Sequence, residues 1–291
     1  TWRVDWPARW KVLGVTVEPF GKDHATAGGS YDTGLRIVRE VFGAEPPFPI
    51  TYEWISLKGQ GDMSSSKGNV ISIERMLKVV PPEVLRYLIV RTPPERTIAF
   101  DPGLPLLSLV DEYDDAESTG RDPRALALSR ASDYRVAGVP FKHLVNVVQM
   151  ANFDFSQVLQ ILARGGYENH DEEALRGRVD YARRWLEEFA PAEMKFALKG
   201  ELPPEAAALS PAQKAFLARV ADRLEPGMKA EAIHEMVYAA AGEGEALKPA
   251  EAFQALYLAL LGTRRGPRIG WFLAFLDRDF VVRRLREAAS Q

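Results

Sequence analysis

The run Asp62-Met63-Ser64-Ser65-Ser66-Lys67-Gly68-Asn69 gathers small hydroxyl residues around one lysine and one glycine. Small side chains let backbone N–H groups approach an anion, and Gly68 frees the backbone to do so. Lys67 adds a positive charge on a flexible stem, which suits a phosphate whose charge moves during reaction. An exposed polar turn is the competing reading. A second group, Gly21-Lys22-Asp23-His24, sets an acid that can accept from ribose hydroxyls beside an imidazole that can hold a polar substrate group. Alone, it is a weak signal and reads more readily as a turn with a capping Asp. A third run, Gly262-Thr263-Arg264-Arg265-Gly266-Pro267-Arg268, is the densest basic stretch, with Trp271, Phe272 and Phe275 directly after it. Charges there can take phosphates and rings can take unstacked bases. A basic loop ahead of an ordinary core helix remains the alternative.

Elements must hold these groups. Residues 12–17 form a β-rich run that predicts a strand leading into the Asp23 turn. The glycine-rich segment Gly28-Gly29 then opens a helix with Leu35, Val38 and Phe42 on one face, stopped by Gly43. Ile50 to Leu57 predicts one buried strand, from which Gly59-Gln60-Gly61 leads into the Lys67 loop. Ligands sit at the carboxyl ends of strands in open α/β sheets. Two strand–loop units converging this way predict half of a nucleotide-binding α/β domain. Trp2, Trp6 and Trp10 recur at helical spacing, but Pro7 leaves a loop across a pocket equally open.

Farther on the pattern is helical. Pro82-Glu83 predicts a helix start, and Arg86, Arg91 and Arg96 beyond it are either phosphate contacts or solvated charges. Asp111 to Glu117 reads as a solvated acidic helix face, and Gly120 to Pro123 as a boundary. Phe141, Leu144, Val145 and Val148 form one stripe, and Tyr181, Trp185 and Phe189 another, both expected in a core. Ser210-Pro211-Ala212-Gln213 is a capping-box start. His143, His170 and His234 lack ligand spacing and read as structural or exposed.

Composition sets the limits. The chain has 291 residues, no cysteine and a net charge of −3, so disulfides and cysteine–zinc sites are excluded for it and any nucleic-acid contact needs local basic patches. No apolar run approaches the roughly 20 residues that span a bilayer. The expectation is a cytoplasmic protein with no membrane partner and no metal site.

Taken together, the motifs resemble a known family. Met-Ser-Ser-Ser-Lys-Gly at Met63 to Gly68 is similar to the Lys-Met-Ser-Lys-Ser loop of class I aminoacyl-tRNA synthetases. Trp2 to Trp10, Glu18 to His24, Gly28 to Gly34 and Gly266 to Leu273 are similar to the archaeal-type class I lysyl-tRNA synthetases. The resemblance covers essentially the whole chain. It implies an α/β then all-α architecture: the second half of a Rossmann catalytic domain at residues 1–75, a stem-contact region at 76–120, and a helical anticodon-binding domain at 121–291. It implies lysine activation with ATP and Mg as substrate, without zinc, and transfer to tRNA(Lys). Gly21, Asp23, Met63, Ser65 and Lys67 are then expected at ATP, with Ser64, Ser66 and Lys67 in a catalytic loop. Trp2, His24 and Tyr52 are expected at L-lysine, with Glu53 and Asp32 as candidates for its ammonium. Arg264, Arg265, Arg268 and Trp271 are expected at tRNA. Asp62 and Ser65 stand where the family usually has lysines, which leaves Lys67 most of the loop's charge. The His-Ile-Gly-His type of motif is absent from the sequence, so the expectation is a fragment lacking the amino-terminal half of the nucleotide fold. A non-catalytic tRNA-binding module, or a synthetase for another amino acid such as glutamate, are the alternatives.

Overall fold

A computed structural model describes residues 2–59, 61–63, 68, 70–168 and 170–291, with Trp2 and Asp62 as backbone only. Ser64, Ser65, Ser66 and Lys67 therefore lie outside the described residues, as does the side chain of Trp2. The elements begin with α1 (Trp2–Leu13), β1 (Val17–Gly21), α2 (Ser30–Glu40), β2 (Phe48–Tyr52), β3 (Ile55–Leu57) and β4 (Gly61–Asp62). There follow α3 (Ile73–Met76), α4 (Pro82–Val90), β5 (Ile98–Phe100), α5 (Leu104–Thr119), α6 (Pro123–Ser129), α7 (Phe141–Met150) and α8 (Phe155–Arg164). The last are α9 (Glu172–Glu188), α10 (Pro211–Arg223), α11 (Ala230–Ala241), α12 (Pro249–Leu261), α13 (Ile269–Phe275) and α14 (Arg278–Ala289).

The chain divides into two compact units. One holds Thr1–Leu77, Pro81–Pro102 and Asp122–Ala131; the other holds Lys78–Val80, Gly103–Arg121 and Ser132–Gln291. In the first unit β1 and β2 pair in parallel, with Val17 opposite Phe48 and Gly21 opposite Tyr52. A parallel pair needs a long crossover, and α2 supplies it. Phe20, the inward residue of β1, joins Trp10, Tyr31 and Val38 in a buried core flanked by Trp6, Leu35 and Phe42. The helix α1 runs on through Pro7. An interior proline costs about 3 kcal/mol, which the ring packing of Trp6 and Trp10 offsets, each well-placed aromatic pair adding about 1 kcal/mol beyond its buried area.

Two strand expectations are corrected. Val12 and Leu13 end α1 instead of starting a strand, because Gly14 at φ +63° breaks the helix and β1 begins only at Val17. Ile50 to Leu57 is two strands in two sheets. The chain changes sheet at Glu53, whose N–H donates to the Pro94 carbonyl at 2.8 Å. Beyond it β3 pairs antiparallel with β4 and parallel with β5.

The second unit is helical: Phe141, Leu144, Val145, Val148 and Trp185 are buried as expected, whereas Tyr181 and Phe189 are only half-buried. Ser210 and Gln213 form a reciprocal capping box at α10. The acidic face of α5 is not simply solvated. Asp114 is buried and accepts from Arg178 at 2.7 Å and from the Tyr134 hydroxyl, and Asp111 accepts from the N–H groups of Phe141 and Lys142 at the start of α7. Burial pushes the Asp114 carboxyl up to about 6 although Arg178 opposes the shift.

Candidate functional site

The first site is built where β1 and β2 end. Gly21 closes β1 opposite Tyr52, and the chain turns at once into a 3-10 turn, Lys22–Ala25, which carries Asp23 and His24. Asp23, His24 and Tyr52 are all exposed. Gly21 has φ −60° and ψ 141°, a conformation open to any residue. A Cβ there would meet only the Tyr52 ring, at 3.9 Å. The fold itself therefore does not demand glycine at this position.

A scaffold of rings and one carboxylate lies beneath. The Glu18 carboxylate accepts from the Trp6 indole at 3.1 Å and the Trp10 indole at 2.9 Å. The Trp6 ring lies 5.8 Å from the His24 ring and edge-on to Phe20 at 5.4 Å. Phe20 stacks on Tyr31 at 4.5 Å, and the Tyr31 hydroxyl donates to the Pro47 carbonyl at 2.8 Å. Gly34 lets α2 approach, since a Cβ there would stand 2.9 Å from the Trp10 ring. Glu18 was absent from the residues selected by sequence. Its signal was the period of two: it shares the inward side of a strand with Phe20.

The turn is tied down. Lys22 pairs with Glu53 at 2.7 Å, and Thr97 donates to the same carboxylate at 3.2 Å. Lys22 holds the Glu53 carboxyl below the usual carboxylate range. Asp32 accepts from the Gly28 N–H at 3.0 Å, with Gly28 at φ +73°. Both acids suggested for a substrate ammonium thus already have partners within the fold. Met63, half-buried, follows β4 at the start of the Lys67 loop, and Gly68 at φ +69° lies beyond it.

The second site is the basic loop between α12 and α13. Arg264, Arg265 and Arg268 are exposed and form no ion pair among the described residues. The loop is nevertheless ordered by the protein. Gly262 caps α12 at φ +69°, and the Tyr257 hydroxyl donates to the Pro267 carbonyl at 2.6 Å. Gly266 presses on the Tyr257 ring, where a Cβ would stand 2.6 Å away. Trp271 is half-buried, its ring 4.9 Å from Phe275 and 5.0 Å from His143, so it belongs to the helix packing. No group of acids and histidines among the described residues could hold a metal ion, and no described helix is long and apolar enough to cross a membrane.

Two families match separate parts of the chain. Residues 1–136 match the family of tRNA synthetases class I (K), and residues 173–289 match the anticodon binding domain family. The amino-terminal part of the chain is thus similar to the class I (K) tRNA synthetases. Lysine–tRNA ligase of Methanosarcina barkeri is 49% identical over 316 residues, covering 100% of this chain and 59% of that protein. Lysine–tRNA ligase of Archaeoglobus fulgidus is 48% identical over 290 residues, covering 99% and 58%. The chain thus spans about three fifths of the length of the curated relatives it matches. Its class I match contains the strand-end site, and its anticodon-domain match contains the basic loop.

Proposed function

We propose that this chain serves lysine–tRNA ligation: ATP-dependent activation of L-lysine followed by transfer to tRNA(Lys). The carrying observation is the strand-end site, where a glycine that the fold does not require faces Tyr52 beside the exposed turn of Asp23 and His24. A glycine kept without an internal reason leaves room for a ligand to lie against backbone. In this reading Gly21 and Asp23 take the ATP ribose, Met63, Ser65 and Lys67 close over the phosphates with Ser64 and Ser66, and Trp2, His24 and Tyr52 contact the lysyl group. The lysine carboxylate attacks the α-phosphate in line and Mg-pyrophosphate leaves. Positioning and charge neutralisation carry such a step. Arg264, Arg265 and Arg268 take tRNA phosphates, and the setting is cytoplasmic. Residues 1–75 would serve the catalytic domain, 76–120 the stem contact and 121–291 the tRNA-binding helices.

The test is lysine-dependent ATP–pyrophosphate exchange by a polypeptide of the relatives' full length that carries this sequence. Exchange with lysine supports the reading; exchange with glutamate and not lysine contradicts it. A second reading, a tRNA-binding module without activation chemistry, draws on the loop arginines, which form no ion pair among the described residues. It is favoured if tRNA binds tightly and no amino acid supports exchange.

A further inference from the structure

Three aromatic side chains meet at the surface of the helical unit, outside the sites described above. His234 and Tyr238 stand one turn apart on α11, both exposed, with ring centroids 4.7 Å apart. Phe253 of α12, half-buried, lies edge-on to Tyr238 at 5.2 Å and 6.2 Å from His234. The core beneath is already closed by Ile233 and Val237 of α11 and by Ala252 and Leu256 of α12, all buried. The surface rings are thus additional to the packing that the two helices need.

The helices that carry these rings also hold the basic loop. On one side α13 presses onto α11: a Cβ on Gly270 would stand 2.3 Å from the Ala230 carbonyl and 2.9 Å from the His234 Cβ. Arg268 is the residue just before α13. On the other side Tyr257, one turn past Phe253 on α12, binds the Pro267 carbonyl. Arg268 thus emerges next to the rings, with Arg264 and Arg265 a few residues earlier on the same loop, all three exposed and in no ion pair among the described residues. Cations that follow a backbone beside aromatic faces that stack bases are how single-stranded nucleic acid is held. Glu231 and Glu235 share the exposed side of α11 with His234. Carboxylates there repel phosphate and accept from the N–H groups of a base edge, which suits a base over the rings and the backbone at the loop.

We propose that His234, Tyr238 and Phe253 form a stacking platform for an unpaired base of the RNA whose backbone the arginine loop holds. This rests on the reading of the helical unit as RNA-binding. The test is fluorescence anisotropy on the full chain with two labelled RNAs, a hairpin with an unpaired loop and a fully paired duplex. Tyr238→Ala should weaken hairpin binding by about five- to a hundredfold, the loss expected for one stacking ring, and leave duplex binding and the salt slope unchanged. Tyr238→Phe should retain hairpin affinity. Parental hairpin affinity in both Tyr238→Ala and His234→Ala, or an equal loss for hairpin and duplex, would overturn the platform alone. An unmodified chain that binds neither RNA would overturn the platform and the RNA-binding reading together.

Discussion

The Lys22 ammonium lies 2.7 Å from the Glu53 carboxylate and ties the end of β1 to the end of β2 beside Asp23 and His24. Glu53 is thereby committed to the scaffold and poorly placed to receive a substrate ammonium. Glu53→Gln should leave lysine affinity within about threefold, well under the tenfold that 1.4 kcal/mol represents. It should also raise the KM for ATP, because the turn holding Asp23 loosens. Titration calorimetry with lysine checks this, and a tenfold or greater loss of lysine affinity would return Glu53 to the substrate.

Gly34 is needed by its neighbour, not by its own backbone. A Cβ there would stand 2.9 Å from the Trp10 ring, which is itself held by Glu18. Gly34→Ala should destabilise the first unit by about 1–3 kcal/mol, the usual cost of overpacking. Denaturant unfolding followed by tryptophan fluorescence measures it, and an unchanged midpoint would show that α1 yields freely.

His143 offers a pH-dependent test. Its ring packs on Tyr167, Trp271 and Phe275, and burial lowers its pKa from 6.5 to about 4, with Nε2 buried and unpartnered among the described residues. As pH falls from about 6.5 to about 4 the unfolded chain takes a proton that the folded chain refuses, so stability from this residue is lost in that window. Asp114 works the other way. Its folded pKa is raised to about 6, so its contribution grows as pH falls through that value. The two partly cancel in the parent, so the informative quantity is the parent minus His143→Phe. That difference should decline steadily below pH 6.5; a flat difference would contradict a buried neutral imidazole.

Replacing Arg264, Arg265 and Arg268 by Gln should weaken tRNA binding and reduce the log–log salt slope by about 0.7–0.9 for each phosphate no longer neutralised. The KM for ATP should not move. Binding isotherms across a salt series decide this, and a parental slope in the triple variant would remove these residues from the tRNA surface.

Much of the architecture was legible because period and punctuation agreed. Ser210 and Gln213 cap α10 as their spacing implies, and α12 starts at Pro249 and stops before Gly262. What failed needed distant partners. Glu53 breaks a run that looks continuous because Pro94 and Lys22, far along the chain, bind it there. Asp114 looks solvated until Arg178, 64 positions later, meets it in the core. Trp271 follows the basic loop in sequence but packs on His143, whereas the rings exposed beside that loop come from α11 and α12. Within the first site, the adjacency of Gly21, Asp23 and His24 was legible from one motif. Their support by Glu18, Trp6 and Trp10 was visible only once α1 was seen to run through Pro7.

At the centre of the proposed chemistry is a nucleotide held between the strand ends and the Ser-Lys loop, with Lys67 neutralising charge on the departing pyrophosphate. Lysine-dependent pyrophosphate exchange, measured on a full-length polypeptide carrying Lys67→Ala, addresses it most directly. The rate should fall on the order of 100- to 1000-fold, as when one preorganised charge-stabilising donor is removed, with lysine affinity nearly intact. A parental rate accompanied by weakened lysine binding would contradict it.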